Sequence, residues 1–440
     1  MAEEIARTAS ASSTVLRPVS NASRVAALQR IHDFLEAGKQ EILAANKVDL
    51  ETAEKANVAA PLVKRLDLSK GDKFDAMLQG ILDVASLPDP IGKVTYANRL
   101  DDGLDLYRVT CPIGVLLVIF ESRPEVIANI TALAIKSANA VILKGGKESF
   151  HSFGAISRLV REALAGTEIP PGAVQLIESR QEVSELLKQD KYIDLVVPRG
   201  SNELVRSIKD NTKIPVLGHA DGLCSVYIHG DADLDMARRI VVDAKTNYVA
   251  GCNAAESLLV QRSALQSHLP TVAKSLIDAG VTLKVTPEIA EALKECGAEG
   301  TWNATIMAAE EKDFDTEFLS LTMAVAAVGG VEDAIKHINT HSSKHTDSIV
   351  TASKETADRF MNGVDSSGVY WNASTRFADG FRYGFGTEVG ISTSKIHARG
   401  PVGLEGLTCY QYQLRGNGQV ASDYVGAGGQ KQFKHGKIDI

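Results

Sequence analysis

The sequence predicts an α/β protein, with a doubly wound parallel sheet in its first half and a second α/β unit after it. Three observations carry that prediction. Continuous apolar runs, GVLLVIF and AVILKGG, have the length and branched content of strands buried on both faces. Helix-patterned stretches, PEVIANITALAIKSANA and ELVRSIKDN, stand between such runs. The pattern then restarts near Leu223, at LCSVYIHGDADLDMARRIVVDAKTNY.

The elements follow in order. After a Ser/Thr-rich start, Ser20 to about Lys55 reads as helical, with Val25, Leu28, Ile31 and Leu35 at helical spacing and Ser20 or Asn21 as N-cap. LPDPIGKV ends that region, and DDGLDLYRVTCP reads as an extended edge hairpin. GVLLVIF is the first buried strand; Pro124 opens the helix after it. AVILKGG, a helix from Ser152 to Leu164, the break IPPG and a strand AVQLI come next. DLVVP and IPVLG are expected strands around ELVRSIKDN, and DSIVTAS and GVYWNAS continue the second unit. Beyond about Gly403 the chain turns Gly-, Gln- and Tyr-rich, which suits a strand or arm between subunits.

At 440 residues the chain is too long for one ordinary core, so two or three domains are expected. A net charge of -8 argues against a nucleic-acid partner, which wants a basic face. The five cysteines contain no Cys-x-x-Cys pair, which excludes a zinc ribbon and disfavours a disulfide framework. MAEEIARTASASS lacks the apolar core of a signal peptide, and CPIGVLLVIF is about half a membrane span. No membrane association and a cytoplasmic location are the expectation.

Open α/β sheets place ligands at the carboxyl ends of their strands. No G-x-G-x-x-G follows a strand; LKGGKES stands there instead, offering Lys144, Gly145, Gly146 and Lys147. An acid at that point would hold the ribose of NAD, so a basic strand end favours NADPH, unless it is merely a solvated turn. In NYVAGCNAAE, Cys252 is either a nucleophile reached through small neighbours or a packed apolar residue. Asn253 and the Cys252 amide are its candidate oxyanion donors, and no histidine lies within several residues. FESRP puts Ser122 and Arg123 at a ligand-facing strand end, and WNASTRFADGFRYGFG carries Arg376 and Arg382, arginine forks that suit carboxylate or phosphate. Either arginine cluster can instead serve structure, Arg123 as a cap and Arg376 through Asp379 or a neighbouring subunit. His337, His341 and His345 are spaced for one helix face, but NTHSSKHTD is full of turn formers, so a polar loop and no metal are expected.

Several long motifs together resemble the γ-glutamyl phosphate reductase family of the aldehyde dehydrogenase superfamily. They are CPIGVLLVIFESRPEV, AVILKGGKES, VPRGSNELV, NYVAGCNAAESLLV, HTDSIVT, VYWNASTRFADGFRYGFGTEVGIST and HARGPVGLEGLT, spread from about Ser20 to Arg415. The resemblance implies an aldehyde dehydrogenase-like fold. Residues 1–95 with 111–222 would bind NADPH, 223–402 would be catalytic, and 96–110 with 403–440 would form an oligomerisation element of a dimer or tetramer. It also implies reduction of L-glutamyl 5-phosphate to glutamate 5-semialdehyde in proline biosynthesis, with NADP and phosphate as the other products. Cys252 then becomes the nucleophile, Lys144 reaches the adenosine ribose, Gly200 and Ser201 lie near the diphosphate, and Glu317 holds the nicotinamide ribose. Two positions depart from the wider superfamily: His219 replaces its water-activating glutamate, and Ser122 replaces its oxyanion asparagine. A hydrolytic, NAD-dependent aldehyde dehydrogenase is the alternative within enzymes; a catalytically silent dinucleotide-binding protein is the alternative outside them.

Overall fold

The computed structural model describes residues 2–58, 60–121, 123–177, 180–295, 305–424 and 429–440, so Ser122 and Cys296 lie outside the described residues. The Ser/Thr-rich start is not a lead-in but a helix, α1 (Ala2–Leu16), that buries Ala6, Ala9, Ser12, Ser13 and Leu16. Its buried stripe is made of small residues, which is why no apolar periodicity announced it. The approach is close: a Cβ on Gly172 would sit 2.5 Å from Ser12 Oγ. The stretch read as one helical region is two helices, α2 (Asn21–Ala37) and α3 (Lys39–Lys55). Ser20 caps α2 by accepting the Ser23 N–H at 3.0 Å. The break falls at Gly38, where a Cβ would lie 2.4 Å from Leu159 Cδ1. Helices α4 (Ala60–Leu66) and α5 (Lys73–Ser86) follow. The expected hairpin is β1 (Val94–Asp101) and β2 (Leu104–Pro112).

Four parallel strands then form around β3 (Val115–Phe120), whose six residues are all buried. The chain runs through α6 (Val126–Lys136), β4 (Ala140–Lys144), α7 (Phe150–Leu164), β5 (Val174–Ile177), α8 (Arg180–Leu186), β6 (Leu195–Arg199) and α9 (Asn202–Asp210). The sheet order is β5-β4-β3-β6, so the chain steps outward twice and then crosses back to the far side of β3. That reversal opens a crevice at the carboxyl ends of β3 and β6. IPVLG, expected as a further strand, makes only an isolated bridge between Val216 and Val196. Pro215 has no N–H to continue a ladder, and its carbonyl accepts one bond from Val196.

The second unit holds a seven-stranded sheet, again wholly parallel in its pairings. Its elements are β7 (Cys224–Ile228), α10 (Leu234–Thr246), β8 (Ala255–Gln261), α11 (Leu269–Asp278), β9 (Thr282–Val285), α12 (Pro287–Glu295) and β10 (Ile306–Ala308). They continue as β11 (Thr322–Val328), α13 (Val331–His341), β12 (Thr346–Val350), α14 (Lys354–Gly363) and β13 (Gly368–Trp371), in sheet order β10-β9-β11-β8-β7-β12-β13. The polar loop expected at the histidines is corrected here. Helix α13 carries His337 and His341, because Ala334, Ile335 and Ile338 bury one of its faces. Apolar clusters cover both faces of this sheet.

A short antiparallel pair, β14 (Gly390–Ser392) and β15 (Gly400–Val402), precedes the tail. The tail forms β16 (Thr408–Arg415) on β2, and β17 (Gly436–Lys437) on β1. Residues far apart in the chain thus share one antiparallel sheet, whose outer strand exposes Tyr410, Tyr412 and Leu414.

Candidate active site

Helix α10 ends at Thr246, and a tight turn carries the chain into β8. Within it Gly251 N–H donates to Tyr248 O at 3.1 Å, and Ala254 N–H to Gly251 O at 2.9 Å. Cys252 stands at the crest of that turn, half-buried. Two glycines let it sit there. A Cβ on Gly222 would fall 2.2 Å from Cys252 O, and one on Gly251 would fall 2.5 Å from an Arg376 guanidinium nitrogen. Behind the turn, Cys224 is buried with its Sγ 3.4 Å from Cys252 O, and burial pushes the Cys224 thiol up.

Two histidines approach Cys252, although none is near it in sequence. Ligating atoms of His219, Cys252 and His345 all lie within 4.8 Å of one another. The two rings meet edge to face, with centroids 5.0 Å apart. His219 Nδ1–H donates to Ile391 O at 3.0 Å, which leaves the lone pair on Nε2. Burial draws the His219 pKa down, so the ring is held neutral. His345 is wholly buried, its Nδ1 2.9 Å from Thr346 Oγ1. Its Nε2 has no hydrogen-bond partner among the described residues.

The floor of the site is an ion pair between Lys245 and Glu256, both at most 2 % exposed, at 2.5 Å. Burial dominates both ends, pushing the Glu256 carboxyl up and the Lys245 ammonium down. Glu256 also accepts the Leu319 N–H at 3.3 Å, two residues beyond Glu317.

The residues expected to bind a cofactor gather at the carboxyl edge of the first sheet. Lys144 ends β4, buried, and Gly145 and Gly146 follow where a Cβ would meet the Phe153 ring at 2.5 Å and Glu148 at 2.1 Å. Lys147 begins the short turn after them. Across the crevice Gly200 and Ser201 open α9, with Ser201 Oγ accepting the Leu204 N–H. Glu121 lies against this N-terminus and accepts the Ser201 N–H at 3.1 Å. Glu317 reaches the same place from the second unit: Asn202 Nδ2 donates to it at 3.4 Å, and Gly222 N–H donates to it as well. Burial raises the Glu317 pKa.

The arginines form a rim. Arg123 faces Glu125, Arg199 and Glu388 in a buried charged cluster, in which desolvation pushes both carboxyls up. Arg199 lies 4.0 Å from Glu388 and stands near Cys252. Arg376 packs over the Tyr248 ring at 5.7 Å, and its buried Nε has no partner among the described residues. Asp379 accepts instead from the Phe381 and Arg382 amides. Asn253 Nδ2 donates to Ala378 O at 2.9 Å and its backbone carbonyl accepts from Thr375 Oγ1 at 2.7 Å, so in this structure it braces the turn.

Sequence reasoning did not name Arg199, Glu388 or His345 as site residues. Arg199 had a signal, since it closes the strand of VPRGSNELV. His345 had none near Cys252 in the chain: it precedes β12, two strands from β8, and the order of the second sheet brings it there.

The chain matches the aldehyde dehydrogenase family model over residues 1–293. It is 60 % identical to "Gamma-glutamyl phosphate reductase" of Saccharomyces cerevisiae, across 100 % of this chain and 98 % of that protein. It is 48 % identical to the protein of that name from Pelotomaculum thermopropionicum, across 99 % and 97 %. Among solved structures, the gamma-glutamyl phosphate reductase of Thermotoga maritima superposes with a TM-score of 0.89 at 38 % identity, covering 95 % of this chain and 99 % of that one. The parallel sheets, the cysteine turn where they meet and these full-length similarities agree: the chain belongs to the aldehyde dehydrogenase family, within its gamma-glutamyl phosphate reductase branch.

Proposed function

We propose that the chain reduces L-glutamyl 5-phosphate to L-glutamate 5-semialdehyde with NADPH, releasing phosphate, as a step of proline biosynthesis. The observation that carries this reading is the position of Cys252. It sits half-exposed on a turn between two imidazoles and two arginines, at the junction of the sheets. The names of the relatives supply the substrate.

His219 Nε2 or His345 Nε2 takes the thiol proton, which answers how Cys252 is activated. The thiolate adds to the acyl carbon, and the Cys252 N–H stabilises the oxyanion. Such a donor contributes about 3 kcal/mol. Phosphate leaves and a thioester to Cys252 remains. With no carboxylate at His219 to activate water, phosphate rather than water is the acyl partner. Arg123, Arg199 and Arg376 bind the phosphate and the substrate's α-carboxylate. Asn253 serves by fixing the turn.

The family implies a nicotinamide cofactor, and the residues fit one. The Gly145-Gly146 backbone is a cradle that any side chain would fill, and Lys144 and Lys147 favour a 2′-phosphate and hence NADPH. Gly200 and Ser201 offer a helix N-terminus to a diphosphate once the exposed Glu121 turns away, and Glu317 suits a ribose hydroxyl. Bound NADPH would supply the hydride that brings the thioester to the level of the aldehyde.

Residues 1–95 with 111–222 are the NADPH-binding part and 223–402 the catalytic part. Residues 96–110 with 403–440 join subunits into a dimer or tetramer through the exposed edge of β16. The three larger sheets, separate from one another, support that division. The test runs the enzyme backward, oxidising glutamate semialdehyde with NADP or NAD, with and without phosphate. Strict dependence on phosphate, and loss of activity in Cys252→Ser, are expected. Turnover without phosphate would establish the hydrolytic, NAD-dependent alternative instead.

A further inference from the structure

We propose that Cys252, His219 and His345 form a site for a soft divalent cation of the zinc class, which blocks the cysteine reversibly. The three ligating atoms come from three segments: the turn before β8, the loop after α9 and the approach to β12. Their mutual separation of at most 4.8 Å lets side-chain rotation close them around one ion.

Two further observations point to a ligand. His345 is wholly buried, and its Nε2 has no hydrogen-bond partner among the described residues. A buried polar atom left that way is rare and calls for an explanation. His219 has its outer nitrogen fixed by Ile391 O, the kind of carbonyl partner that metal-bound histidines use to set tautomer and ring orientation.

One thiolate and two imidazoles suit zinc or its analogues and suit magnesium or calcium poorly. Three protein ligands leave a fourth position for water. Binding replaces the Cys252 S–H bond with a metal–sulfur bond and releases that proton to solvent, with no change of oxidation state. The sulfur is then no longer a nucleophile. The cation is therefore an inhibitor, and a chelator restores the thiol.

The experiment titrates chelator-treated full-length protein with zinc by calorimetry, and with cobalt by absorption. Expected are one ion per chain, a thiolate-to-cobalt charge-transfer band, and zinc protection of Cys252 from iodoacetamide. Cys252→Ser removes the band, and His219→Gln or His345→Gln weakens binding at least tenfold. His341→Gln, outside the site, leaves it unchanged. An ion bound equally well by Cys252→Ser, or lost in His341→Gln, would place the cation elsewhere and overturn the proposal, as would no binding at all. Should His345→Gln not fold, Cys252→Ser and His219→Gln decide the question. None of these readouts depends on reductase turnover, so the cation site and the proposed reaction stand or fall separately.

Discussion

The two parallel sheets use opposite edges. The first presents the carboxyl ends of β3, β4 and β6, with Lys144, Arg199 and the start of α9, at the crevice where its strand order reverses. That is where open α/β sheets bind ligands, and the sequence alone pointed there. The second presents its amino edge: Cys252 before β8, Cys224 at the start of β7, and His345 before β12. The two edges face each other across a seam, where Asn202 of the first unit donates to Glu317 of the second. A carboxyl-end rule finds half of such a site. The other half is built from turns that enter strands rather than leave them, where Gly222 lets backbone pack against Cys252 and Gly251 leaves room for the Arg376 guanidinium.

The contrast can be tested from its largest consequence downward. Cys252→Ser should lower reductase turnover by about three orders of magnitude or more while leaving dinucleotide binding, read by fluorescence, unchanged. Loss of both would mean that the seam does not divide the two tasks. Gly222→Ala forces a methyl group into Cys252 O. It should reduce stability by about 2 kcal/mol and move the cysteine turn, seen as a lower Tm together with slower thiol labelling. Lys144→Glu acts only at the opposite edge. It should weaken NADPH by about tenfold, about 1.4 kcal/mol, and NADH much less, in steady-state KM values. Equal effects on both nucleotides would remove Lys144 from the 2′-phosphate.

The smallest effect lies away from the seam, on α13. His337 packs against the Phe314 ring at 5.0 Å, and burial together with His341 draws its pKa down from 6.5 to about 4. The folded protein therefore refuses a proton that the unfolded chain accepts. Stability that His337 leaves intact above pH 6.5 is lost as pH falls toward 4. Replacing it in His337→Asn should flatten the fall in Tm across that window, by an amount on the order of 1 kcal/mol after solvent screening. An unaltered slope would mean that other groups set the acid limit.

Where the chain has long one-sided patterns, sequence and structure agree. GVLLVIF, AVILKGG and the restart at Leu223 became buried parallel strands because nothing but apolar burial can satisfy such runs. The failures are local and have causes. Helix α1 buries small residues rather than an apolar stripe, and one helical pattern was split by contact between Gly38 and Leu159. IPVLG was apolar enough for a strand, but its proline ended the ladder.

By itself, the sequence determined the fold class and the basic end of β4, because these depend on side-chain type and on neighbours close in the chain; it offered Cys252 as a nucleophile only through long motifs shared with a family. Tertiary structure alone decided what surrounds Cys252. His219, His345, Arg199 and Arg376 reach it from four different segments. The order of strands in the second sheet sets the nearness of His345, and the docking of the first sheet's edge adds Arg199 and His219; no local pattern encodes either. Within the second unit, Asn253 holds the Ala378 backbone carbonyl, a contact made across more than a hundred residues of chain.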